Sequence, residues 1–505
     1  MSTSSIMQKT PLRSGRRAAL RDRRGLALAI VLGAQLMIIL DMTVVNIALP
    51  SIAHGLHFSA TGLSWVLNAY TLTFGGLLLL GGRAGDIVGR RQVFMAGIAL
   101  FTAASLAGGL ALSAGWLLAA RAAQGVGGAF ASPAVLAMIT ASFADGRERA
   151  RALGIYTAVV MGGGSLGLVL GGVITEWVSW RWVLFINVPI GVLVVLASPL
   201  FLPRTGRQPG HFDLAGALTS TAGMVSLVYG IIRVASDGWS DTVARLALTA
   251  AAILLAGFLY RESRAAQPIT PLRLFADRRR AGSYLTRLLL VAGMFGMFFF
   301  LTQLVQDVLR FSPLRAGVAF LPMTAALLGV SQLSSRLVSR FRPWTLMVAG
   351  MLPVVAGMTW LSRISPGTGY LAGILGPMLL IGTGMGVVFV PLTMASLSGV
   401  RPEDSGAASS MVNVMQQVGG SLGLAVLVTA FSSATKAAAA HPVAGLSRLA
   451  QAQLTVVHGV SSAFTLAAIL DVLALLVVLT VMRARPAEKT AFPGQSQLSE
   501  RPGRG

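Results

Sequence analysis

Long apolar segments, separated by short polar or charged stretches, recur from one end of the chain to the other. Most hold about 20 residues, the length that an α-helix needs to cross the hydrocarbon core of a bilayer. The segments lie at 26–49, 61–81, 93–112, 115–140, 152–175, 182–202, 213–234, 243–260, 282–304, 315–335, 344–362, 368–392, 406–431 and 459–482. The pattern therefore predicts fourteen membrane-spanning helices.

The type of span follows from the pattern within each segment. These segments are apolar on all sides, whereas the strands of a membrane β-barrel alternate in polarity over about 10 residues. The predicted fold class is an all-α polytopic membrane protein. Composition agrees, because 54% of the residues are hydrophobic and only 11% are charged, against about 25% charged in soluble domains.

The charge of the chain is explained by topology. The formal net charge is +23, from 40 Lys and Arg against 17 Asp and Glu. If the N-terminus is cytoplasmic, most of the basic residues fall in segments on that same side. This agrees with the excess of Lys and Arg that short cytoplasmic loops of membrane proteins carry. An even number of spans then places both termini in the cytoplasm. Attraction to anionic membrane lipids follows from this excess, and no nucleic-acid partner is expected.

The N-terminal segment reads as a tail and not as a signal peptide. Seven of the first 24 residues are Lys or Arg. The apolar run that follows is long, whereas a signal peptide has a short apolar region that ends in a small-residue cleavage site. The chain has no Cys, so neither a disulfide framework nor a thiolate metal site is available.

An internal repeat divides the chain into two halves. The sequence GGSLGL at 163–168 recurs at 419–424, in the fifth span and in the thirteenth. If the seventh and eighth spans are an inserted pair, the other twelve form two parallel sets of six, a known transporter architecture. The predicted organisation is a basic cytoplasmic tail (1–25), an N-terminal six-helix bundle (26–202), a linker with two inserted spans (203–281), a C-terminal six-helix bundle (282–482) and a cytoplasmic tail (483–505).

Several short motifs occur at defined places among the predicted spans. They are LDMTVVNIALP (40–50) in the first span, GRAGDIVGRR (82–91) after the second, RAAQGVGG (121–128) in the fourth, the glycine-rich 163–172 in the fifth, and WRW with FINVPIG (180–191) after it. As a set they resemble the drug:proton antiporter family with fourteen spanning helices, within the major facilitator superfamily. The fifth-span motif departs from the family pattern, which commonly reads Gly-Pro where this chain has Gly167-Leu168.

The resemblance implies a function. It implies secondary active efflux of drugs or antibiotics, amphipathic and cationic, across the bacterial cytoplasmic membrane in exchange for protons, by alternating access. Proton-coupled uptake, or export of an endogenous metabolite, is the alternative. A monomer in lipid with no cofactor, driven by the proton gradient, is expected. No enzyme is expected, because the spans contain only isolated acidic and basic residues. An ATP-driven pump is not expected either, because the sequence has no phosphate-binding Gly-Lys-Ser/Thr loop.

Two charged residues within spans are the candidates for proton coupling. Asp41 lies about 15 residues into the first span and Arg121 lies early in the fourth. An ionisable residue inside a span is costly and is by default a functional candidate. The alternatives are that Asp41 only pairs helices near the water interface, and that Arg121 extends to an interface. Asp307, Asp471, Gln124 and Met297 are candidates for substrate binding.

Two further sets of residues have expected roles in conformational change. The loop after the second span is expected to act as a cytoplasmic latch through Gly82, Gly85, Asp86, Gly89, Arg90, Arg91 and Asp145. Its glycines would permit a tight turn. The resemblance implies that this loop stabilises the outward-facing state by charge contacts across the cytoplasmic side. Spacing places the glycines of the antiporter-motif helix on one face, where a neighbour could approach closely; they are Gly163, Gly167, Gly171 and Gly172.

Overall fold

The structure, a computed structural model, describes residues 12–143, 146–203, 213–265, 272–338, 340–400, 405–443 and 447–483. Within these ranges every regular element is a helix. Side chains are described from residue 24 onward, with gaps inside some helices.

Seventeen α-helices are present in the described part of the chain. The first eight are α1 (Leu12–Leu56), α2 (Ala60–Leu63), α3 (Trp65–Ala84), α4 (Arg90–Gly109), α5 (Ala114–Ser142), α6 (Gly146–Trp177), α7 (Trp182–Phe185) and α8 (Asn187–Phe201). The next two are α9 (Leu214–Asp237) and α10 (Thr242–Arg264). The remaining helices are α11 (Arg278–Gln303), α12 (Pro313–Ala319), α13 (Leu321–Leu337), α14 (Pro343–Leu361), α15 (Gly376–Leu397), α16 (Ser405–Ala440) and α17 (Arg448–Thr480).

The predicted spans all coincide with helices. Thirteen helical stretches within the described residues are long and apolar enough to cross a membrane. The remaining prediction, 152–175, lies within α6, a continuous helix of 32 residues. Some predicted spans consist of two successive helices, namely α2 and α3, α7 and α8, and α12 and α13. The all-α membrane fold predicted from the sequence is confirmed.

The sequence repeat corresponds to a repeated packing. α6 packs along α1, and α16 packs along α11. A Cβ built on Gly163 would lie 3.1 Å from Leu36 of α1, and one built on Gly419 would lie 2.5 Å from the carbonyl oxygen of Leu288 of α11. The same glycine motif therefore brings the fifth helix of each predicted half against the first helix of that half.

The two helices predicted to be an insertion, α9 and α10, lie beside the contact between the predicted halves. α10 packs on α9, and α9 packs on both α3 and α16. Thr429 of α16 donates a hydrogen bond of 3.3 Å to the carbonyl oxygen of Ile231 of α9, and Gly76 of α3 faces Thr221 of α9. Large apolar side chains of α10 are exposed, Ile253 by 67%, as expected of a helix that faces lipid.

The halves also contact each other directly at the side where α1 ends, which we call the far side. The backbone N–H of Leu314, in α12, donates a hydrogen bond of 2.9 Å to Glu176 of α6. A Cβ built on Gly172 of α6 would lie 2.6 Å from the carbonyl oxygen of Pro313. One cluster of buried apolar side chains also extends from α1, around Ile47, to Met297 of α11. The far side is therefore closed by close backbone packing.

Candidate functional site

Asp41 lies inside the N-terminal half, in contact with groups from two other helices, α5 and α8. The residue is 1% exposed. Its Oδ2 accepts a hydrogen bond of 2.5 Å from Nη1 of Arg121. Its Oδ1 accepts bonds of 2.9 Å from Gln124 and 2.8 Å from Asn187. The carboxyl group of Asp41 is therefore surrounded by one cation and two amide donors.

Arg121 is held by more than this ion pair. The residue is 1% exposed. Its Nε donates a bond of 3.0 Å to the carbonyl oxygen of Val66, and Nη1 donates one of 2.8 Å to Gln124 Oε1. Its guanidinium carbon lies 4.6 Å from the ring centroid of Tyr70, a cation–π contact. The two candidate coupling residues are therefore in direct contact, and neither reaches an interface.

The polar network joins five helices. Gln124 also donates a bond of 2.7 Å to Ser105 Oγ of α4. Asn187 begins α8, while Tyr70 and Val66 belong to α3. Ser105, Asn187 and Tyr70 were not identified from the sequence as site residues. Asn187 could have been, because it occurs in the motif at 180–191; Ser105 and Tyr70 carry no signal apart from the contact itself.

The chemistry open to this network is proton exchange. With Asp41 ionised and Arg121 charged, the network is neutral, and the carboxylate is the one group in the pair that can gain a proton. Protonation would remove the anion that holds Arg121, because an arginine cannot lose its own charge in a protein. The resulting unpaired buried cation is costly, so a proton on Asp41 favours rearrangement of the helices.

The residues of the expected latch are described only in part. The side chain of Asp86 and the whole of Asp145 lie outside the described residues. Gly89 has a φ of 115° and permits the turn as expected, but Gly85 has a helical φ of −58° because a π-helical turn spans Gly85–Gly89. The expectation that Gly85 provides a tight turn was therefore wrong.

Arg91 and Gly82 of the latch motif contact helices of the N-terminal half. Arg91 donates hydrogen bonds of 3.4 Å and 3.2 Å to the carbonyl oxygens of Pro199 and Leu202 at the end of α8. A Cβ built on Gly82 would lie 3.7 Å from Pro133 of α5. Arg90 is half-buried. These contacts link the turn to helices of the N-terminal half.

The glycines of α6 face two neighbours and not one. Gly163, Gly167 and Gly171 lie against Leu36, Thr43 and Val44 of α1. Gly172 lies against Pro313 and Leu314, at the start of α12 in the other half. A residue next to Gly171 points about 100° away around a helix, so the sequence-based placement of all four on one face was wrong for Gly172.

The substrate-binding candidates are in different environments. Gln124 belongs to the network around Asp41. Met297 is fully buried in the core. Asp307 lies in the π-helical turn Leu304–Val308 and is exposed. Asp471 of α17 is fully buried, and neither of its carboxylate oxygens has a hydrogen-bond partner among the described residues. The structure does not bring these four together.

Comparison with known proteins adds three findings. A protein-family profile described as Major Facilitator Superfamily matches residues 31–424. A puromycin resistance protein of Streptomyces alboniger is 43% identical over 476 residues, covering 93% of each chain. A cephamycin export protein of Amycolatopsis lactamdurans is 42% identical over 414 residues, covering 81% of this chain and 85% of that protein.

A solved structure shares the fold at low sequence identity. It is a bacterial homologue of the human lysosomal transporter Spinster, in an inward-facing and occupied conformation. The TM-score is 0.66 with 16% identity, over 92% of this chain and 99% of that one.

Proposed function

The chain belongs to the Major Facilitator Superfamily, and on that premise we propose that it exports drug-like molecules, antibiotics among them, in exchange for protons. The names of its relatives, which describe puromycin resistance and cephamycin export, support the class of substrate. The proposed location is the bacterial cytoplasmic membrane, with both termini in the cytoplasm. The protein is a transporter and not an enzyme.

The observation that carries the proposal is the buried pair of Asp41 and Arg121. Five helices of one half meet at this pair, so a change in its charge acts on the packing of the whole half. A proton that enters from the far side converts Asp41 to a neutral acid and leaves Arg121 without its counter-ion. Release of that proton to the cytoplasm restores the pair. The proton gradient thereby drives a cycle between two arrangements of the helices.

Substrate and proton are coupled through this rearrangement. In the ionised state Asp41 accepts hydrogen bonds from Arg121, Gln124 and Asn187, so a cationic substrate would have to displace three donors to reach it. We therefore propose that the substrate binds elsewhere between the halves, and that it and the proton favour opposite states. Coupling of this kind requires only that each ligand has different affinities for the two states.

The present conformation is proposed to be the inward-facing one. On the far side, α6 and α12 are in backbone contact through Gly172 and Pro313, and Leu314 is bonded to Glu176. If the N-terminus is cytoplasmic, this closed side faces outward. Exchange then requires α6 and α12 to separate, which exposes the path to the outside.

The experiment that tests the proposal is transport in inverted membrane vesicles energised by a pH gradient, with puromycin as the probe. Wild-type vesicles should accumulate the probe when the lumen is acidic, which corresponds to export from the cell. Asp41→Asn, which is nearly isosteric and cannot be ionised, should insert normally and lose gradient-driven accumulation. Asp237→Asn is the matched control, because Asp237 is 44% exposed and pairs at the surface with Arg233.

Three outcomes would contradict the proposal. Efflux of the probe from vesicles under the same gradient would indicate uptake into the cell, the alternative expected from the sequence. No gradient-driven movement of puromycin or of a panel of amphipathic cations, anions and neutral compounds by the wild type would rule out drug export. Full activity of Asp41→Asn would remove Asp41 from the coupling mechanism.

A further inference from the structure

The C-terminal half contains a second buried carboxyl, and its surroundings differ from those of Asp41. Asp471 is fully buried in α17. It faces Gly293 of α11, where an added Cβ would lie 3.2 Å and 3.4 Å from the two carboxylate oxygens. Neither oxygen has a hydrogen-bond partner among the described residues.

The elements packed against α17 are α11, α14, α16 and the turn Leu304–Val308. Their charged or titratable residues, with those of α17 itself, are Arg278, Arg279, Arg280, Tyr284, Arg287, Asp307, Lys436, Arg448 and His458. Most of these lie in the end turns of the helices or are exposed. Two of the charged groups are buried: Arg280, at 8% exposure in the first turn of α11, and Arg287, at 3% exposure two turns further on.

Arg287 also lacks a carboxylate partner among the described residues. Its Nη2 donates a hydrogen bond of 2.6 Å to Thr393 of α15, and its guanidinium carbon lies 5.6 Å from the ring centroid of Phe389. Its Nε has no hydrogen-bond acceptor among the described residues. Arg287 and Gly293 are six residues apart on α11, roughly 9 Å along the helix axis and about 120° around it, so Arg287 faces α15 while Gly293 faces α17.

These contacts define the protonation states. An ionised carboxylate without a counter-ion or a donor is very costly in an apolar interior, and such a group keeps its proton instead. A carboxyl placed as Asp471 is placed therefore favours its neutral form, whereas an arginine cannot become neutral. One conformation thus holds an acid with a cation and two amide donors in the N-terminal half, and an acid without a hydrogen-bond partner among the described residues in the C-terminal half.

We propose that Asp471 is a second proton-binding carboxyl of the transport cycle, and that Arg287 is the counter-ion it takes when the proton leaves. In the other transport state, α11 shifts and turns against α17, so that the Arg287 side chain leaves Thr393 of α15 and reaches Asp471. The proton passes from the carboxyl oxygen to water, and the carboxylate left behind pairs with the guanidinium. Both buried charges are then compensated. This inference rests on the proposed proton exchange.

The first test measures the proton directly and needs no substrate. Infrared difference spectra of the purified protein in lipid nanodiscs, recorded across a pH step, should contain the carbonyl stretch of a protonated carboxyl. Asp471→Asn should lose that contribution, and Asp237→Asn should retain it. An unchanged spectrum in Asp471→Asn would overturn the proposal, even if drug export is confirmed.

The second test counts protons per exported molecule. In proteoliposomes, the proton-to-puromycin ratio obtained from the reversal voltage should fall by about one in Asp471→Asn, because one titrating site is gone. Asp471→Glu keeps the acid and should keep the ratio, which separates proton binding from packing. An equal ratio in wild type and Asp471→Asn would contradict the proposal, whereas absence of transport by the wild type would contradict the proposed function.

The third test addresses Arg287. Arg287→Gln should shift the pH profile of transport to higher pH, because the deprotonated acid has lost its counter-ion. In the Asp471→Asn background the same change should cause no further shift. Equal shifts in both backgrounds would show that Arg287 acts independently of Asp471. If Asp471→Asn fails to accumulate, the Arg287→Gln profile measured in wild type and in Asp471→Glu still decides between these results.

Discussion

Gln306 donates a hydrogen bond of 2.9 Å from Nε2 to the carbonyl oxygen of Ile47, and this bond joins the first helix of one half to the end of the ninth span in the other. Gln306 is buried and lies in the π-helical turn Leu304–Val308. The contact is on the far side, where the Gly172 contact also lies. Separation of the two halves on the far side would break this bond.

The Gln306→Leu variant should shift the protein toward the state with an open far side. Loss of one buried hydrogen bond costs about 1 kcal/mol, or roughly fivefold in the ratio of the two states. The distance between spin labels on Val178→Cys and Val318→Cys reports this ratio; both residues are exposed, and the chain has no other Cys. Gln303→Leu is the control, since Gln303 bonds within its own helix. Equal distance distributions in the two variants would contradict the prediction.

The Gly172→Ala variant should also open the far side, by a steric route. The new methyl group would lie 2.6 Å from the carbonyl oxygen of Pro313, and overpacking of this kind costs about 1–3 kcal/mol. Separation of α6 from α12 relieves the clash without unfolding either half, so transport should slow while thermal stability changes little. Gly164→Ala is the control, because nothing lies within 4 Å of its added Cβ. A fall in stability with normal state populations would indicate ordinary packing damage.

Arg121→Gln should destabilise the protein, because it leaves Asp41 buried without a cation. Removal of one partner of a buried ion pair typically costs about 3–5 kcal/mol. The double variant Asp41→Asn/Arg121→Gln should recover part of this loss, since no unpaired charge remains. Thermal unfolding of the four proteins completes a double-mutant cycle, with exposed Arg245→Gln as the surface control. Additive effects of the two substitutions would contradict a direct coupling.

Both termini should be cytoplasmic. A reporter that is fluorescent only in the cytoplasm, fused after residue 505, should be bright. A phosphatase active only outside, inserted between α1 and α2 at residues 57–59, should be active. Either reporter giving the opposite signal would invert the orientation and with it the assignment of the far side to the outside.

The sequence predicted the class of fold because that class depends on local composition. A run of about 20 apolar residues must form a helix in a bilayer, whatever its neighbours are, since its backbone groups have no other partners. The spans, the glycine repeat at Gly163 and Gly419, and the family could therefore be read directly, and the family match confirms the last of these. Asp41 and Arg121 were identified for the same reason, because charge inside a span is visible without a structure.

Contacts between distant residues could be decided only by the tertiary structure. Sequence alone identified no acidic partner for Arg121, and the partner is Asp41, 80 residues away. It also gave no indication that the surroundings of Asp41 and Asp471 differ, although one has three donors and the other has none among the described residues. Whether a buried carboxyl is ionised depends on which helices pack around it. The sequences of apolar helices of similar length contain little information about which helices pack against each other.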